Sequence, residues 1–290
     1  MEIKNKLEKS DELKIAILGP EGTFSDSAYR LYDVNKTLEP VYYPTIDEVF
    51  GGVADEECEL GIVPIENTLD GYVQRTLDLL LEKDVCIIDE NRVAVQFSLL
   101  ANADNIEEID TLFVQFKANG QCRQFISSLK NIKLVTTQSN MESYYSIAGE
   151  KGLAAVVPAH IAKDEKEKFV IDNITDTSNN FTRFVVFTKN SISIDDINKK
   201  KIEGVKKIKI PVYIMPNVDR PGILYEILKT FYEKKINLIS IMSRPTKQEL
   251  GTYNFYIEID GYVDQLDVIE ESLKEIEKEN GIRLLGIYKE

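Results

Sequence analysis

The first two-thirds of the chain alternates short apolar runs with segments of helical periodicity, and this alternation restricts its fold more than any other feature. Runs such as Ile15–Leu18 and Leu60–Val63 have the length of buried strands, while Val73–Leu81 carries apolar residues at helical spacing. Strands separated by helices form a largely parallel sheet with helices on both faces. We therefore expect an α/β fold here.

The pattern repeats in the middle of the chain, which predicts two α/β units. Strands are expected at Leu112–Val114 and Ala154–Val157. The two units connect near Asp89–Leu100 and again near Thr175–Arg183. We therefore expect two lobes with a central cleft between them, the second lobe covering about residues 97–175.

A charged stretch separates this region from a different kind of unit. Residues 190–206 contain Asp195-Asp196, the triple lysine Lys199–Lys201 and few large apolar side chains, which predicts a solvated linker. Residues 207–290 follow a βαββαβ order, in which Tyr253, Phe255, Ile257 and Ile259 alternate as in a half-buried strand. This order predicts a ferredoxin-like α+β domain.

Composition excludes several classes of function. The net charge of −14 repels phosphate backbones and argues against nucleic acid as a partner. No run approaches the roughly 18 apolar residues of a membrane span, and Met1–Leu13 lacks the apolar stretch of a signal peptide. We expect a cytoplasmic protein with no membrane association.

Cysteine and histidine usage indicates neither a disulfide framework nor a histidine-rich metal site. Cys58, Cys86 and Cys122 are odd in number and far apart, so we expect buried apolar residues. His160 is the only histidine, which leaves a Ser–His–Asp or Cys–His system with a single candidate base. We expect it to be structural or surface-exposed.

Polar residues interrupt the chain at predicted strand ends, where α/β proteins bind ligands. Residues 19–25 (Gly-Pro-Glu-Gly-Thr-Phe-Ser) form a turn into a helix, with Ser25 as the expected N-cap. The amides of such a helix start favour an anion, although capping alone would also explain the motif. Glu66-Asn67-Thr68 directly follows a buried strand, and three adjacent polar groups exceed what one cap needs.

Two further stretches carry candidate binding groups. Within Asn179–Phe184, Thr182 offers a hydroxyl and Arg183 a fork that suits a carboxylate. The alternative interpretation is an edge-strand threonine beside a surface salt bridge. Near the C-terminus, the glycine of Arg220–Leu224 would let a ligand approach the backbone closely, and helix capping is again the alternative.

Together, in this order and spacing, these stretches resemble one family, the prephenate dehydratases with a C-terminal ACT domain. The most specific matches are residues 19–25, Val-Pro-Ile-Glu-Asn at 63–67 and Thr-Arg-Phe at 182–184. The resemblance implies a two-lobed, periplasmic-binding-protein-like catalytic domain with a central cleft, followed by a ferredoxin-like regulatory domain. The implied ranges are 14–189 for the catalytic domain, 190–206 for the linker and 207–290 for the ACT domain.

The resemblance implies conversion of prephenate to phenylpyruvate with loss of water and carbon dioxide, without a metal or organic cofactor. Aromatisation supplies most of the driving force, so the enzyme has mainly to orient the dianion and assist departure of the ring hydroxyl. By resemblance, Thr182 would act as an oriented donor or relay, with Glu66 nearby and Arg183 holding a carboxylate. The implied substrate-binding residues are Thr23, Phe24, Ser25, Asn67, Thr68, Gln96, Asn180 and Phe184.

The ACT resemblance implies feedback inhibition by phenylalanine at a subunit interface, and hence a homodimer or homotetramer. The implied effector contacts are Gly222, Ile223, Leu224, Asn237 and Leu238. Ile223 stands where the family has alanine and Met242 where it has glutamate, which leaves the identity and potency of the effector open. Residues 114–116 and 139–141 also depart from the family's Ser-His-Pro and Ser-Thr-Ala, while Thr68 keeps the hydroxyl of the usual serine.

Other interpretations stay open at this level. Arogenate dehydration, non-aromatising decarboxylation of prephenate and a non-enzymatic amino-acid sensor are the alternatives, since two lobes with a cleft also describe solute receptors. The intact motif at 182–184 favours the dehydratase, and the expected lack of a signal peptide argues against a transport receptor. The short N-terminus is expected to leave no room for a fused chorismate mutase, so prephenate would come from another protein.

Overall fold

The computed structural model describes residues 13–165, 167–197 and 206–290. Within these ranges the chain forms two lobes and a C-terminal domain, each built on its own sheet. None of the helices in these ranges combines the length and apolarity that a membrane crossing requires.

The first lobe begins with the predicted alternation of strands and helices. Its elements are β1 (Leu13–Leu18), α1 (Phe24–Tyr32), β2 (Leu38–Tyr43), α2 (Ile46–Ala54), β3 (Leu60–Asn67), β4 (Gly71–Tyr72), α3 (Gln74–Glu82) and β5 (Val85–Ala94). The predicted N-cap of α1 was wrong: Thr23 caps this helix by accepting a hydrogen bond from the amide of Asp26. Ser25 lies buried inside the first turn.

The second lobe repeats the pattern with shorter helices. Its elements are β6 (Phe97–Asn102), β7 (Thr111–Gln115), α4 (Phe116–Gln121), α5 (Arg123–Ser128), β8 (Lys133–Thr137), α6 (Asn140–Tyr145), β9 (Leu153–Pro158), α7 (Ala159–Asp164) and β10 (Phe169–Ile171). The sheet order is β10-β6-β9-β7-β8. Cys122 separates α4 from α5, because its φ of −121° and ψ of 27° are not helical.

The sheets of the two lobes are mixed rather than largely parallel. β1 is parallel to β2 and β3, and β7 is parallel to β8 and β9, as predicted. β11 (Phe181–Lys189) returns to the first lobe and lies antiparallel between β3 and β5, while β6 is antiparallel to β9 and β10. The antiparallel pairs thus involve the strands next to the two connections between the lobes. The chain leaves the first sheet along β5 and returns along β11 in the opposite direction.

An aromatic pair fills the core of the first lobe. The rings of Phe50 and Phe187 stack with centroids 4.3 Å apart, and both side chains are fully buried. Gly61 on β3 leaves room for them, since a Cβ at this position would lie 2.4 Å from the Phe187 ring. We expect Gly61→Ala to lower the free energy of unfolding by about 1–3 kcal/mol, because a packed core does not absorb an added methyl group. Urea denaturation measures this loss.

Gly51→Ala is the matched control for that change. A Cβ at Gly51, within α2, would meet no atom within 4 Å. Alanine is a better helix former than glycine, so we expect stability to stay the same or to rise by up to about 1 kcal/mol. An equal loss in both variants would show that close approach to Phe187 is not the cause.

The C-terminal domain has the predicted ferredoxin-like order. Its elements are β12 (Lys207–Pro216), α8 (Ile223–Glu233), β13 (Asn237–Pro245), β14 (Tyr253–Tyr262), α9 (Leu266–Glu277), β15 (Asn280–Leu284) and β16 (Tyr288–Lys289). The sheet order is β13-β14-β12-β15, with antiparallel neighbours. Part of the expected solvated linker packs here, because Ile194 and Ile197 are apolar enough to join this core. Lys199–Lys201 lie outside the described residues.

The central strands β12 and β14 of the C-terminal domain are buried on both faces. α8 and α9 cover the face that carries Phe255, Ile257 and Ile259. The other face packs on the first lobe, so Tyr256 and Glu258 are 0% and 1% exposed. The prediction of a half-buried strand was therefore wrong for β14. Alternation of apolar residues marks one face as buried but does not show what covers the other.

Candidate active site

The ends of β3 and β11 bring Asn67 opposite Thr182. Oδ1 of Asn67 accepts hydrogen bonds from the amides of Leu69 at 3.0 Å and Asp70 at 3.1 Å. The amide nitrogen of Asn67 must therefore point the other way. It donates to Oγ1 of Thr182 at 2.9 Å and to Oδ1 of Asn180 at 3.0 Å.

This arrangement leaves the proton of the Thr182 hydroxyl available. A hydroxyl has one proton and two lone pairs, and Oγ1 of Thr182 uses a lone pair to accept from Asn67. In the part of the chain that the structure describes, no group accepts the Thr182 proton. The side chain is only half-buried. It can therefore donate a hydrogen bond to a bound molecule that reaches this strand end.

Side-chain amides hold the crossing segments next to Thr182. Asn180 is fully buried, and its Nδ2 donates to Oε1 of Gln121 in the second lobe at 3.0 Å. Nε2 of Gln96 reaches the carbonyls of Thr177 and Ser178 at 3.4 Å. Asn180 thus links Gln121 of the second lobe to Asn67 at the end of β3, and Gln96 joins one crossing to the other.

The remaining predicted substrate residues differ in exposure: Phe24 and Thr68 are partly or fully exposed, whereas Phe184 and Ser25 are buried. Phe24 packs edge-on against Phe97 of the second lobe, with ring centroids 5.5 Å apart. The hydroxyl of Thr68 bonds the backbone of Phe181, donating to its carbonyl at 3.1 Å and accepting from its amide at 3.2 Å. Phe184, by contrast, is 2% exposed in the first-lobe core. The structure does not bring Phe184 or Ser25 to an accessible surface.

His160 connects the two lobes on one side of the cleft. Its Nε2 lies 3.1 Å from the carbonyl oxygen of Gly22 and its ring nitrogens lie 3.4 Å from Oγ of Ser27. Burial lowers the pKa of His160, which favours a neutral ring at neutral pH. A cavity of about 800 Å³ adjoins it, lined from both lobes by residues that include Phe24 and Gln96. The histidine therefore bridges the two lobes at the edge of this cavity.

Arg183 lies on the opposite face of β11 from Thr182, since consecutive strand residues alternate. Its side chain is buried, and its donors reach Glu66 at 3.2 Å, Glu90 at 2.9 Å and Glu258 of the C-terminal domain at 2.7 Å. Arg183 and Glu66 thus pair with each other, and in this pair Arg183 is buried whereas the Glu66 side chain is 38% exposed. Neither side chain faces the Thr182 hydroxyl.

Sequence reasoning missed the charged groups buried around Arg183. Glu90, Lys209 and Glu258 belong to no recognised motif, yet their side chains are 8%, 2% and 2% exposed. A signal was present, because Lys209 and Glu258 are charged residues inside apolar strands. Charges of this kind are buried only when they are paired.

The fold and site define a class of protein: a two-lobed α/β catalytic domain joined to a ferredoxin-like regulatory domain. Comparison with known families identifies which family of this class the chain belongs to. The family model of prephenate dehydratase matches residues 15–192, and that of the ACT domain matches residues 217–278. The chain belongs to the prephenate dehydratase family, whose members are lyases.

Similar proteins agree with this assignment. The prephenate dehydratase of Methanocaldococcus jannaschii is 34% identical, over 93% of this chain and 95% of that protein. The crystal structure of prephenate dehydratase from Staphylococcus aureus has a TM-score of 0.81 and 28% identity, over 96% of this chain and 100% of the other. A structure of the Arthrobacter aurescens enzyme in complex with L-Phe has the same score and identity, over 96% and 90%.

Proposed function

We propose that this protein converts prephenate to phenylpyruvate, with loss of water and carbon dioxide. The observation that supports this most directly is the Thr182 hydroxyl, which Asn67 orients as an acceptor and leaves free as a donor. Threonine is far too weak an acid to ionise at neutral pH, so the hydroxyl acts as an oriented donor to the departing ring hydroxyl. Formation of the aromatic ring then drives the loss of both water and carbon dioxide.

The start of α1 supports binding of a substrate carboxylate. Thr23 caps this nine-residue helix, and the amides of a helix N-terminus favour an anion. Phe24 supplies an apolar wall next to the second lobe. We assign the catalytic role to Thr182, with Asn67 as its positioning partner. Arg183 and Glu66 act as a paired support behind β11.

Product analysis of the purified protein tests this proposal. The protein is incubated with prephenate at mildly alkaline pH, where spontaneous aromatisation is slow, and phenylpyruvate is followed by its ultraviolet absorbance and mass. We expect phenylpyruvate well above a no-enzyme control. Faster turnover of arogenate, with phenylalanine as product, would replace the proposed substrate. A non-aromatic decarboxylated product, or binding without turnover, would reject the dehydratase function.

Asn67→Asp is expected to lower kcat by about tenfold or more. Aspartate keeps an acceptor for the amides of Leu69 and Asp70 but cannot donate to Thr182. The threonine hydroxyl would then donate to the new carboxylate instead of the substrate, and an oriented group that turns away loses most of its effect. Steady-state phenylpyruvate formation measures the change.

Asn179→Asp is the matched control, because it makes the same chemical change at an exposed position close to Thr182 along the chain. Its kcat is expected to stay within about twofold of wild type, as a surface charge adds little to local energetics. A similar loss in both variants would attribute the effect to added negative charge rather than to the Asn67 donor.

We further propose feedback inhibition by L-phenylalanine at a site shared by two copies of the chain. The Arthrobacter aurescens relative in complex with L-Phe supports this ligand. Gly222, with φ of +91°, precedes α8, and Asn237 follows its far end. The 11 residues of α8 separate them by about 16 Å. One amino acid cannot touch both positions in a single chain, so a second copy has to supply one of them.

An exposed strand edge in the ACT domain supports association of two copies. Within the described residues, β13 pairs only with β14, and its Ile239 and Ile241 are 45% and 39% exposed. An unpaired edge is a template for another chain. Ile223 and Leu224 are half-buried at the start of α8, and Met242 packs against the core shared with the first lobe. A homodimer or homotetramer follows from this proposal.

Light scattering and inhibition assays test the regulatory site. We expect at least a dimer, and inhibition of phenylpyruvate formation by phenylalanine but less by tyrosine or methionine. A monomer that phenylalanine still inhibits would reject the shared site. Activity that phenylalanine leaves unchanged would reject this effector, with Met242 and Ile223 as the first positions to restore to the family residues.

We also propose the domain division 14–189, 190–206 and 207–290, and a cytoplasmic location. The end of β11 at Lys189 and the start of β12 at Lys207 support the boundaries. Cys58, Cys86 and Cys122 are free and buried, which is ordinary for a reducing compartment.

A further inference from the structure

A buried ionic cluster connects the ACT domain to the strand that carries Thr182. The cluster contains Arg183 and Glu90 of the first lobe, and Lys209 and Glu258 of the ACT domain. Nζ of Lys209 lies 2.5 Å from Oε1 of Glu90, and Nη2 of Arg183 lies 2.7 Å from Oε1 of Glu258. A third contact, 2.9 Å long, joins Arg183 to Glu90. Each of the ACT charges is thus paired with a charge of the first lobe.

Other ACT side chains complete the cluster. The hydroxyl of Tyr288 donates to Oε2 of Glu90 at 3.2 Å, and that of Tyr256 donates to Glu258. Burial raises the pKa of the Glu90 carboxyl, but the charge of Arg183 and the hydrogen bond from Lys209 outweigh it and hold that pKa below its usual value. The charges are therefore held in place by partners from both domains.

Arg183 lies beside an irregular position in β3. β11 pairs with β3 as Thr182 opposite Asn67, Arg183 opposite Glu66 and Phe184 opposite Pro64, so the extra residue is Ile65 of β3. Such irregularities bend a strand and re-aim its side chains. In β3 these side chains are those of Glu66, which pairs with Arg183, and of Asn67, which donates to the Thr182 hydroxyl. The support of Arg183 and the support of Thr182 therefore depend on the same bend.

The alternation of side chains along the ACT strands explains why charged residues lie at the contact with the first lobe. In β12, the residues on the helix side include Ile208 and Ile210, so that Lys209 between them faces the first lobe. In β14, Glu258 stands in the same relation to Ile257 and Ile259. The ACT sheet therefore presents a cation and a carboxylate to the back of the strand that carries Thr182.

We propose that Glu258 and Lys209 are positioning residues for the reaction, which hold Thr182 in place through Arg183 and Glu90. This rests on the dehydratase function proposed above. Loss of one charge leaves its buried partner unbalanced. The adjoining cavity of about 510 Å³, lined in part by Arg183, Lys209 and Glu258, gives the arginine room to move. A shift of about 1 Å at a reacting group can cost about 100-fold in rate.

The proposal also gives the ACT domain a direct route to the active site. Because Glu258 and Lys209 belong to its sheet, any rotation of that sheet against the first lobe changes the distances to Arg183 and Glu90. Charge pairing in a buried site responds steeply to distance. Repacking of the ACT domain would thus reach Thr182 without closing the cleft as a whole.

Glu258→Gln tests the proposal in the full-length protein. Glutamine keeps the shape and one acceptor oxygen, removes the charge and replaces the second oxygen with an NH2 donor. We expect kcat to fall about tenfold or more, with KM for prephenate within about twofold, because the substrate contacts are untouched. Lys209→Met is expected to act in the same direction. The two changes together are expected to cost less than the product of their separate effects, since they remove opposite charges.

Asp78→Asn is the matched control at the same domain interface. Asp78 of α3 pairs with Arg244 at 2.8 Å and Lys247 at 3.0 Å, and has no contact with Arg183. Its kcat is expected to stay within about twofold of wild type. An equal fall in kcat for Asp78→Asn and Glu258→Gln would overturn the proposal, because loosened docking would then explain both. A change confined to KM would overturn it as well.

Hydrogen exchange separates this inference from the proposed reaction. In Glu258→Gln, amides at the start of β11 are expected to exchange about tenfold faster than in wild type, whereas Asp78→Asn leaves them unchanged. Hydrogen exchange requires no turnover, so it tests the link between Glu258 and β11 even if the wild-type protein forms no phenylpyruvate. Unchanged exchange in Glu258→Gln would overturn the link.

Discussion

Replacing Thr182 with valine is expected to lower kcat for phenylpyruvate formation by about 10²–10⁴-fold, the usual contribution of a positioned acid or donor. Valine has nearly the shape of threonine and removes only the hydroxyl, whose proton is free while its oxygen accepts from Asn67. The hydrogen bond matters most as the ring hydroxyl departs. The loss should therefore fall on kcat, with KM within a few-fold of wild type. Steady-state kinetics of the purified variant measures both.

Two variants control for changes other than loss of the donor. Thr182→Ser keeps the hydroxyl and is expected to retain at least about a tenth of wild-type kcat. Thr188→Val removes a hydroxyl further along β11 that bonds the Glu59 carbonyl at 2.8 Å, and kcat is expected to change by less than about twofold. A Thr182→Val enzyme with more than a tenth of wild-type kcat would assign the leaving-group donor elsewhere.

Arg183→Leu is expected to lower the free energy of unfolding by about 3–5 kcal/mol, as when one partner of a buried ion pair is removed. Leucine fills part of the space but leaves Glu90 and Glu258, with side chains 8% and 2% exposed, facing one another without their shared cation. Urea denaturation followed by circular dichroism measures the loss, provided that the transition is cooperative.

Arg92→Leu is the comparison for this loss. Arg92 lies on β5 close to the same cluster, but its side chain is 60% exposed and 3.9 Å from Glu90. Exposed ion pairs contribute little, so we expect a change of about 0.5 kcal/mol or less. If Arg92→Leu destabilised the protein as much as Arg183→Leu, the buried cluster would not be the source of the effect.

The loss of stability caused by Arg183→Leu is expected to depend on pH. Burial raises the pKa of Glu90, but Arg183 and Lys209 outweigh it, so the folded value lies below the ordinary 4.5. A carboxyl whose pKa is lowered by folding contributes stability that is fully present above its unfolded pKa and is lost as the pH falls through the folded value. The difference in stability between wild type and variant should therefore shrink below about pH 4.5.

Local patterns in the chain were enough to predict much of the fold. The spacing of apolar residues specifies strand or helix over a few residues, which is why β3, β14 and the βαββαβ order were predicted correctly. Asn67 and Thr182 were singled out because each lies in a short motif at a predicted strand end, and the roles predicted for them came from the family resemblance. Such features depend on neighbours in sequence.

Strand direction and helix capping were harder to predict. The antiparallel position of β11 depends on the chain returning from the second lobe, more than 100 residues after β3. Ser25 and Thr23 are both residue types that cap helices, and the backbone of the turn decided between them. The prediction of a solvated linker failed for Ile194 and Ile197 because their core belongs to the domain that follows.

Arg183 shows what a local sequence motif cannot predict. The motif at 182–184 marks it as a guanidinium beside a threonine hydroxyl, and a substrate carboxylate was the expected partner. Only the folded chain shows that Glu258, 75 positions further along, lies 2.7 Å away. A motif records which groups are neighbours along the chain, whereas ion pairing depends on distance in space, which is established when two separate domains pack together.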